Sequence, residues 1–142
     1  MSTEENKALV RRYFEELLNH GNLAVADELI TEGYQSTFPG FVLGPEGQKQ
    51  LYQTYHASFP DLRVTIDDMI AEGDKVVTRL TVHGTHQGDF QGIPPTGKPV
   101  TVSGITIDRI ADGKIQASWA QFDMLGLMQQ LGAIPAPQQA AS

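Results

Sequence analysis

The chain has 142 residues, no cysteine, 40% apolar residues, and 10 Lys+Arg against 17 Asp+Glu for a net charge of −7. A chain of that length is one compact domain. The acidic balance, with no basic run longer than Arg11-Arg12, leaves no electrostatic footprint for nucleic-acid phosphates, and the lack of thiols excludes disulfides, thiolate metal sites, iron–sulfur clusters and a thiol nucleophile. The polar start Met1-Ser2-Thr3-Glu4-Glu5-Asn6 is unlike a signal peptide, and no stretch approaches about 18 consecutive apolar residues, so a cytoplasmic protein without membrane contact is expected. No period of about 20–50 residues repeats.

Leu9, Val10, Tyr13, Phe14, Leu17 and Leu18 lay one apolar stripe along a helix predicted over 3–19, with Ser2 and Glu5 placed to cap it. A short helix over 23–30 follows, then a loop broken by Pro39-Gly40 and Gly44-Pro45. A third helix over 46–58 gathers Leu51, Tyr52, Tyr55 and Phe59 on one face. Beyond Pro60-Asp61 the period changes to two, and Leu62, Val64, Ile66 and Asp68 alternate with polar partners. Strands are predicted over 62–68, 75–84, 100–110 and 115–123, joined as an antiparallel meander, with a loop over 88–99 and a turn at Asp112-Gly113. A helix over 124–131 closes the domain at 132, and 133–142 read as a disordered tail. Helices first and sheet second is an α+β order, in which helices cover one face of a curved antiparallel sheet and enclose a pocket.

Strand parity sorts the candidate site residues. In the last strand Ile115, Ala117, Trp119, Gln121 and Asp123 share a face, the more apolar one, which is expected to point inward. An inward Asp123 beside Trp119 would have its charged form disfavoured and its pKa raised into a range useful for proton transfer. The alternative is that Asp123 is the N-cap of the helix starting at Met124. In the second strand Val76, Thr78, Leu80 and Val82 carry His86 to the same side, where it could orient or relay a proton, or simply be a hydrogen-bonded histidine at a strand end. His83 and His86 fall on opposite faces, and His20 and His56 have no ligand spacing, so no metal site is expected. No Gly-x-Ser-x-Gly elbow, Walker loop or Gly-x-Gly-x-x-Gly fingerprint occurs, so no nucleotide cofactor is implied.

An ordered series, Phe59-Pro60-Asp61-Leu62, Glu72-Gly73-Asp74-Lys75, Gly84-Thr85-His86-Gln87-Gly88, Gly92-Ile93-Pro94-Pro95-Thr96-Gly97, Asp112-Gly113-Lys114-Ile115, Trp119, Asp123 and Gln130-Leu131-Gly132, resembles the SnoaL-like polyketide cyclases of the NTF2-like superfamily. The resemblance spans about residues 6–132. It implies a cone-shaped α+β fold and a cofactor-free, metal-free intramolecular aldol condensation closing a ring of an aromatic polyketide ester. In that reading Asp123 is the acid and base, with His86 beside it. The candidate substrate-binding residues are Trp119, Gln121, Tyr13, Tyr55, Phe59 and Gln35. Where many relatives place a histidine or asparagine, this chain reads Tyr34-Gln35-Ser36-Thr37, so Gln35 or Ser36 would be the hydrogen-bonding group. A non-catalytic small-ligand-binding domain, or a related hydratase, epoxide hydrolase or isomerase, is the alternative function on this fold. A homodimer through the outer sheet face, where Val77, Thr81 and Ile105 reduce polarity, completes the expectations.

Overall fold

The computed structural model describes residues 2–37 and 42–135. Helix α1 (Thr3–Arg12) starts in the expected capping box: the Ser2 hydroxyl accepts the Glu5 N–H at 3.1 Å, and the Glu5 carboxylate accepts the Ser2 N–H at 3.2 Å. The expected single helix over 3–19 changes character half-way. Tyr13–Asn19 is π-helical, with the His20 N–H bonded to the Glu15 carbonyl five residues back. Phe14 and Leu17 reach the core there. Asn19 then docks this helix on the sheet, donating to the Val64 carbonyl at 3.0 Å and accepting the Val64 N–H at 2.7 Å.

Helix α2 (Val25–Leu29) runs directly into a strand, β1 (Ile30–Ser36), which pairs with the two-residue β2 (Val42–Leu43) before α3 (Gly44–Ser58). The meander follows as expected: β3 (Arg63–Glu72), β4 (Lys75–Thr85), β5 (Pro99–Ala111) and β6 (Lys114–Phe122), with Asp112 and Gly113 both at positive φ in the β5–β6 turn. Helix α4 is Met124–Gln130. The six strands are ordered β2-β1-β6-β5-β4-β3, with β1 parallel to β6. Sequence periodicity missed β1 and β2. β1 carries Thr31, Glu32, Gly33 and Gln35 between its apolar residues, and its stability as a strand comes from long-range pairing with β6. The former loop residues Phe38 and Pro39 lie outside the described residues, as do 136–142 of the predicted tail; the Ala133 N–H donates to the Met128 carbonyl at 2.9 Å. Among the described residues no helix is long and apolar enough to cross a membrane.

Two irregularities decide which side chains face the helices. In β3 the register with β4 shifts between Ile66 and Asp68, so Val64 and Ile66 point inward but Asp68 points out. In β6 the register with β5 shifts between Arg109↔Ala117 and Ile110↔Ile115, which makes Gln116 an extra residue. Parity therefore inverts in β6: Ile115 is inward, and after the bulge so are Ser118, Ala120 and Phe122. β5 runs without a break, burying Val100, Val102, Gly104, Thr106, Asp108 and Ile110 in strict alternation.

The main core packs α1, the π-helical turn and α2 through Val10, Phe14, Leu17 and Leu29 against Val64, Val76, Leu80 and Ile110. A second cluster, Phe59, Phe90, Val100, Val102, Leu127 and Leu131, joins α4 and the 86–98 loop to the other end of the sheet. Gly104 permits the junction near Phe122, because a Cβ at 104 would sit 2.3 Å from the Phe122 ring. Gly104→Ala is therefore expected to cost about 1–3 kcal/mol by overpacking. Denaturant melts should show that loss, and Phe122→Leu in the same chain should recover part of it; an unchanged midpoint in the single variant would contradict the packing described.

Candidate active site

A cavity of about 160 Å³ lies between the helices and the concave face of the sheet. Its wall is mostly aromatic and aliphatic, with Tyr13, Phe14, Tyr34, Tyr52, Tyr55 and Phe59 among the lining residues. Polar groups also line it: Ser36 from β1, Gln48 from α3, Thr106 and Asp108 from β5, and Ser118 from β6. Among the described residues no arginine or lysine lines it.

Asp108 is the ionisable carboxyl of this cavity, and it is 3% exposed. One carboxyl oxygen accepts from the Ser118 hydroxyl and the other from the Thr106 hydroxyl at 3.3 Å. Its pKa is pushed up to about 6, because burial disfavours the charged form by more than the Ser118 and Thr106 hydrogen bonds favour it. Tyr34, bonded to Ser118 and Ser36, is pushed up to about 12 by burial, and Tyr13 is held well above the ordinary tyrosine range for the same reason. The tyrosines therefore stay neutral and Asp108 alone titrates near neutrality in this group. A carboxyl of that kind in an apolar cavity can both take and return a proton around pH 6–7.

The structure relocates several expected site residues. Asp123 does not face the cavity. It is exposed and caps α4, its carboxylate accepting the Gly126 N–H at 2.9 Å, which is the capping alternative raised from sequence. Trp119, 44% exposed, and Gln121 share its outward side, and the Gln116 bulge is the reason for all three. His86 is inward and completely buried, yet it is not part of the cavity wall. Its Nδ1 accepts the Thr96 N–H at 3.2 Å and meets the Thr96 hydroxyl at 3.0 Å, while its ring lies 5.6 Å from that of Phe59. It pins the loop that leads into β5. Gln35 is exposed on β1, and its neighbour Ser36 is the one that faces in. Tyr13, Tyr55 and Phe59 line the cavity as expected.

Sequence reasoning passed over Asp108, Gln48, Tyr34, Thr106 and Ser118. A signal for Asp108 was present: Val100, Val102 and Ile110 share its parity, and placing Ile105 on the outer face already turns Asp108 inward. Among the described residues no group of three or more His, Asp or Glu is placed to hold a metal ion.

The chain matches the family model of the SnoaL-like polyketide cyclases over residues 8–131. It belongs to that family. The nogalonic acid methyl ester cyclase of Streptomyces nogalater is 30% identical over 118 residues, 80% of this chain and 88% of the relative. The aklanonic acid methyl ester cyclase DnrD of Streptomyces peucetius is 38% identical over 60 residues, 42% of this chain and 41% of the relative. Among solved structures, TsrD from Streptomyces laurentii superposes with a TM-score of 0.86 at 31% identity, covering 94% of this chain and 99% of that one. The fold is thus the NTF2-like α+β cone of the SnoaL-like proteins, helices against one face of a curved sheet with a short C-terminal helix.

In this SnoaL-like chain the buried carboxyl links stability to pH. The Asp108 pKa rises on folding from 3.8 to about 6, so its favourable contribution is complete below pH 3.8 and is lost as pH rises through about 6. The full loss is on the order of 3 kcal/mol. Asp108→Asn, neutral and of the same shape, is expected to melt above the parent at pH 8 and to converge with it near pH 4. Calorimetry at the two pH values checks this, and equal offsets at both would mean that the carboxyl is not desolvated.

Proposed function

We propose that this protein closes a ring of an aromatic polyketide ester by cofactor-independent intramolecular aldol condensation, with Asp108 as both base and acid. The observation that carries the reading is the carboxyl of Asp108 in an apolar, aromatic-walled cavity, with its pKa raised to about 6. Membership of the SnoaL-like cyclases and the likeness to the nogalonic acid methyl ester cyclase support the substrate class.

The chemistry balances without any co-reactant. The ionised Asp108 removes a proton from a carbon between two carbonyls, the enolate carbon attacks a ketone in the same molecule, and the carboxylic acid so formed returns the proton to the ketone oxygen. One carbon–carbon bond forms and nothing leaves. Delocalisation into the two carbonyls stabilises the enolate, so the protein supplies a base of matched pKa and a fixed geometry. Ser118 and Thr106 hold the carboxyl, and the aromatic wall presses the two ends of the substrate into contact distance, an effect worth up to about 7–11 kcal/mol when alignment is complete. The epoxide-hydrolase alternative lacks support, since among the described residues no arginine lines the cavity and Arg79 faces outward toward Asp67.

With nogalonic or aklanonic acid methyl ester as trial substrates, Asp108→Asn is expected to lower kcat by about 10²–10⁴-fold. Asp123→Asn should stay within about threefold of the parent. The kcat/KM of the parent should rise with pH through about 6 and level off, because the free enzyme must carry Asp108 ionised. Turnover that survives Asp108→Asn would sink the assignment and favour the binding-domain alternative.

The outer sheet face supports assembly with a second copy. Ile70, Val77, Ile107 and Trp119 are cross-strand neighbours in one row over β3, β4, β5 and β6, and Ile70, Ile107 and Trp119 are exposed. A row of that kind across a sheet can face its own copy about a two-fold axis. Light scattering is expected to give twice 15.5 kDa, and Trp119→Glu to give the single mass; a parent monomer at micromolar concentration would refute the dimer.

A further inference from the structure

Gln48, which lines the cavity, carries a buried side-chain oxygen with no partner among the described residues. Gln48, on α3 and 4% exposed, donates its side-chain N–H to the Tyr13 hydroxyl. Its carbonyl oxygen Oε1 is buried, and among the described residues no donor reaches it. The other polar groups differ: Asp108 takes Ser118 and Thr106, and Tyr34 takes Ser118 and Ser36. A buried acceptor that no protein donor reaches is unfavourable unless something else donates to it, and a ligand hydroxyl can do so.

We propose that Gln48 is a specificity residue of this cavity, accepting through Oε1 a hydrogen bond from a hydroxyl carried on the ring of the substrate. The ligand class is then an uncharged hydroxylated aromatic, since among the described residues no cation lines the cavity to meet an anion and the wall offers aromatic faces. Tyr13 holds the amide from the other side, so the acceptor is presented in one orientation. A hydroxyl on the ligand satisfies it, whereas a methyl ether at the same position brings a second acceptor against Oε1 and leaves both unpaired. The inference rests on reading this cavity as the substrate site and is independent of the chemistry given to Asp108.

The test is therefore one of binding, without turnover. Phenol and anisole fit within a cavity of about 160 Å³ and differ only in hydroxyl against methyl ether, so they are suitable probes. Titration calorimetry at pH 7 is expected to show phenol bound at least about tenfold more tightly than anisole by the parent protein. Gln48→Leu and Gln48→Met, each checked for an unchanged or raised melting temperature, should bind the two probes within about threefold of each other. Asp108→Asn should keep the parent's preference. Two results would overturn the proposal: a phenol preference that persists in both Gln48 variants, or a parent that favours anisole, which would mean that the amide presents its N–H instead. Loss of turnover in Asp108→Asn with no Gln48-dependent preference would leave the catalytic reading standing and remove this one.

Discussion

The arrangement depends on one carboxyl group that is almost wholly buried. Asp108 sits near the C-terminal end of a strand that alternates strictly between core and solvent, so the same backbone regularity that buries Val100, Val102 and Ile110 also buries the carboxyl. The isolated charge would be expensive in such a place. Hydroxyls from Thr106 on its own strand and Ser118 on the neighbouring strand lower that cost without abolishing it, and the remainder is what moves the titration to about 6. A stronger donor, such as an arginine, would hold the carboxylate ionised and leave a weaker base. Hydroxyls leave the group balanced between its two forms.

The neighbouring strand delivers Ser118 because of a single extra residue. Without the bulge at Gln116, the parity that turns Ile115 inward would turn Trp119 and Asp123 inward as well, and Ser118 would face solvent. The bulge thus exchanges an indole and a carboxyl for a small hydroxyl beside Asp108. It makes room in the cavity and frees Asp123 to cap α4, and it delivers Trp119 to the outer face beside Ile107.

How far the sequence speaks follows from the range of the forces involved. The capping box at Ser2 and Glu5, the turn at Asp112-Gly113 and the alternation in β4 are local, and each was legible from a few adjacent residues. β1 was not, because its mixed residues hold an extended shape only through pairing with β6, remote in sequence. The bulge at Gln116 leaves no mark in composition, so the inward face of β6 was read one residue out of step, and Trp119, Gln121 and Asp123 were placed inside. Tyr13, Tyr55 and Phe59 reach the cavity because helical stripes carry their own phase.

The parallel seam between β1 and β6 has a consequence for how the molecule comes into being. Ser36 pairs with Ser118, residues 118 − 36 = 82 apart in sequence, whereas β3 to β6 join through neighbouring hairpins. Closing a loop of that length costs more chain entropy than closing a hairpin, so the meander is expected to form before the seam. Tyr34 and Ser36 arrive with the seam and meet Ser118 only then. On that order the sheet precedes the cavity, and Asp108 would stay open to water until β1 docks on β6.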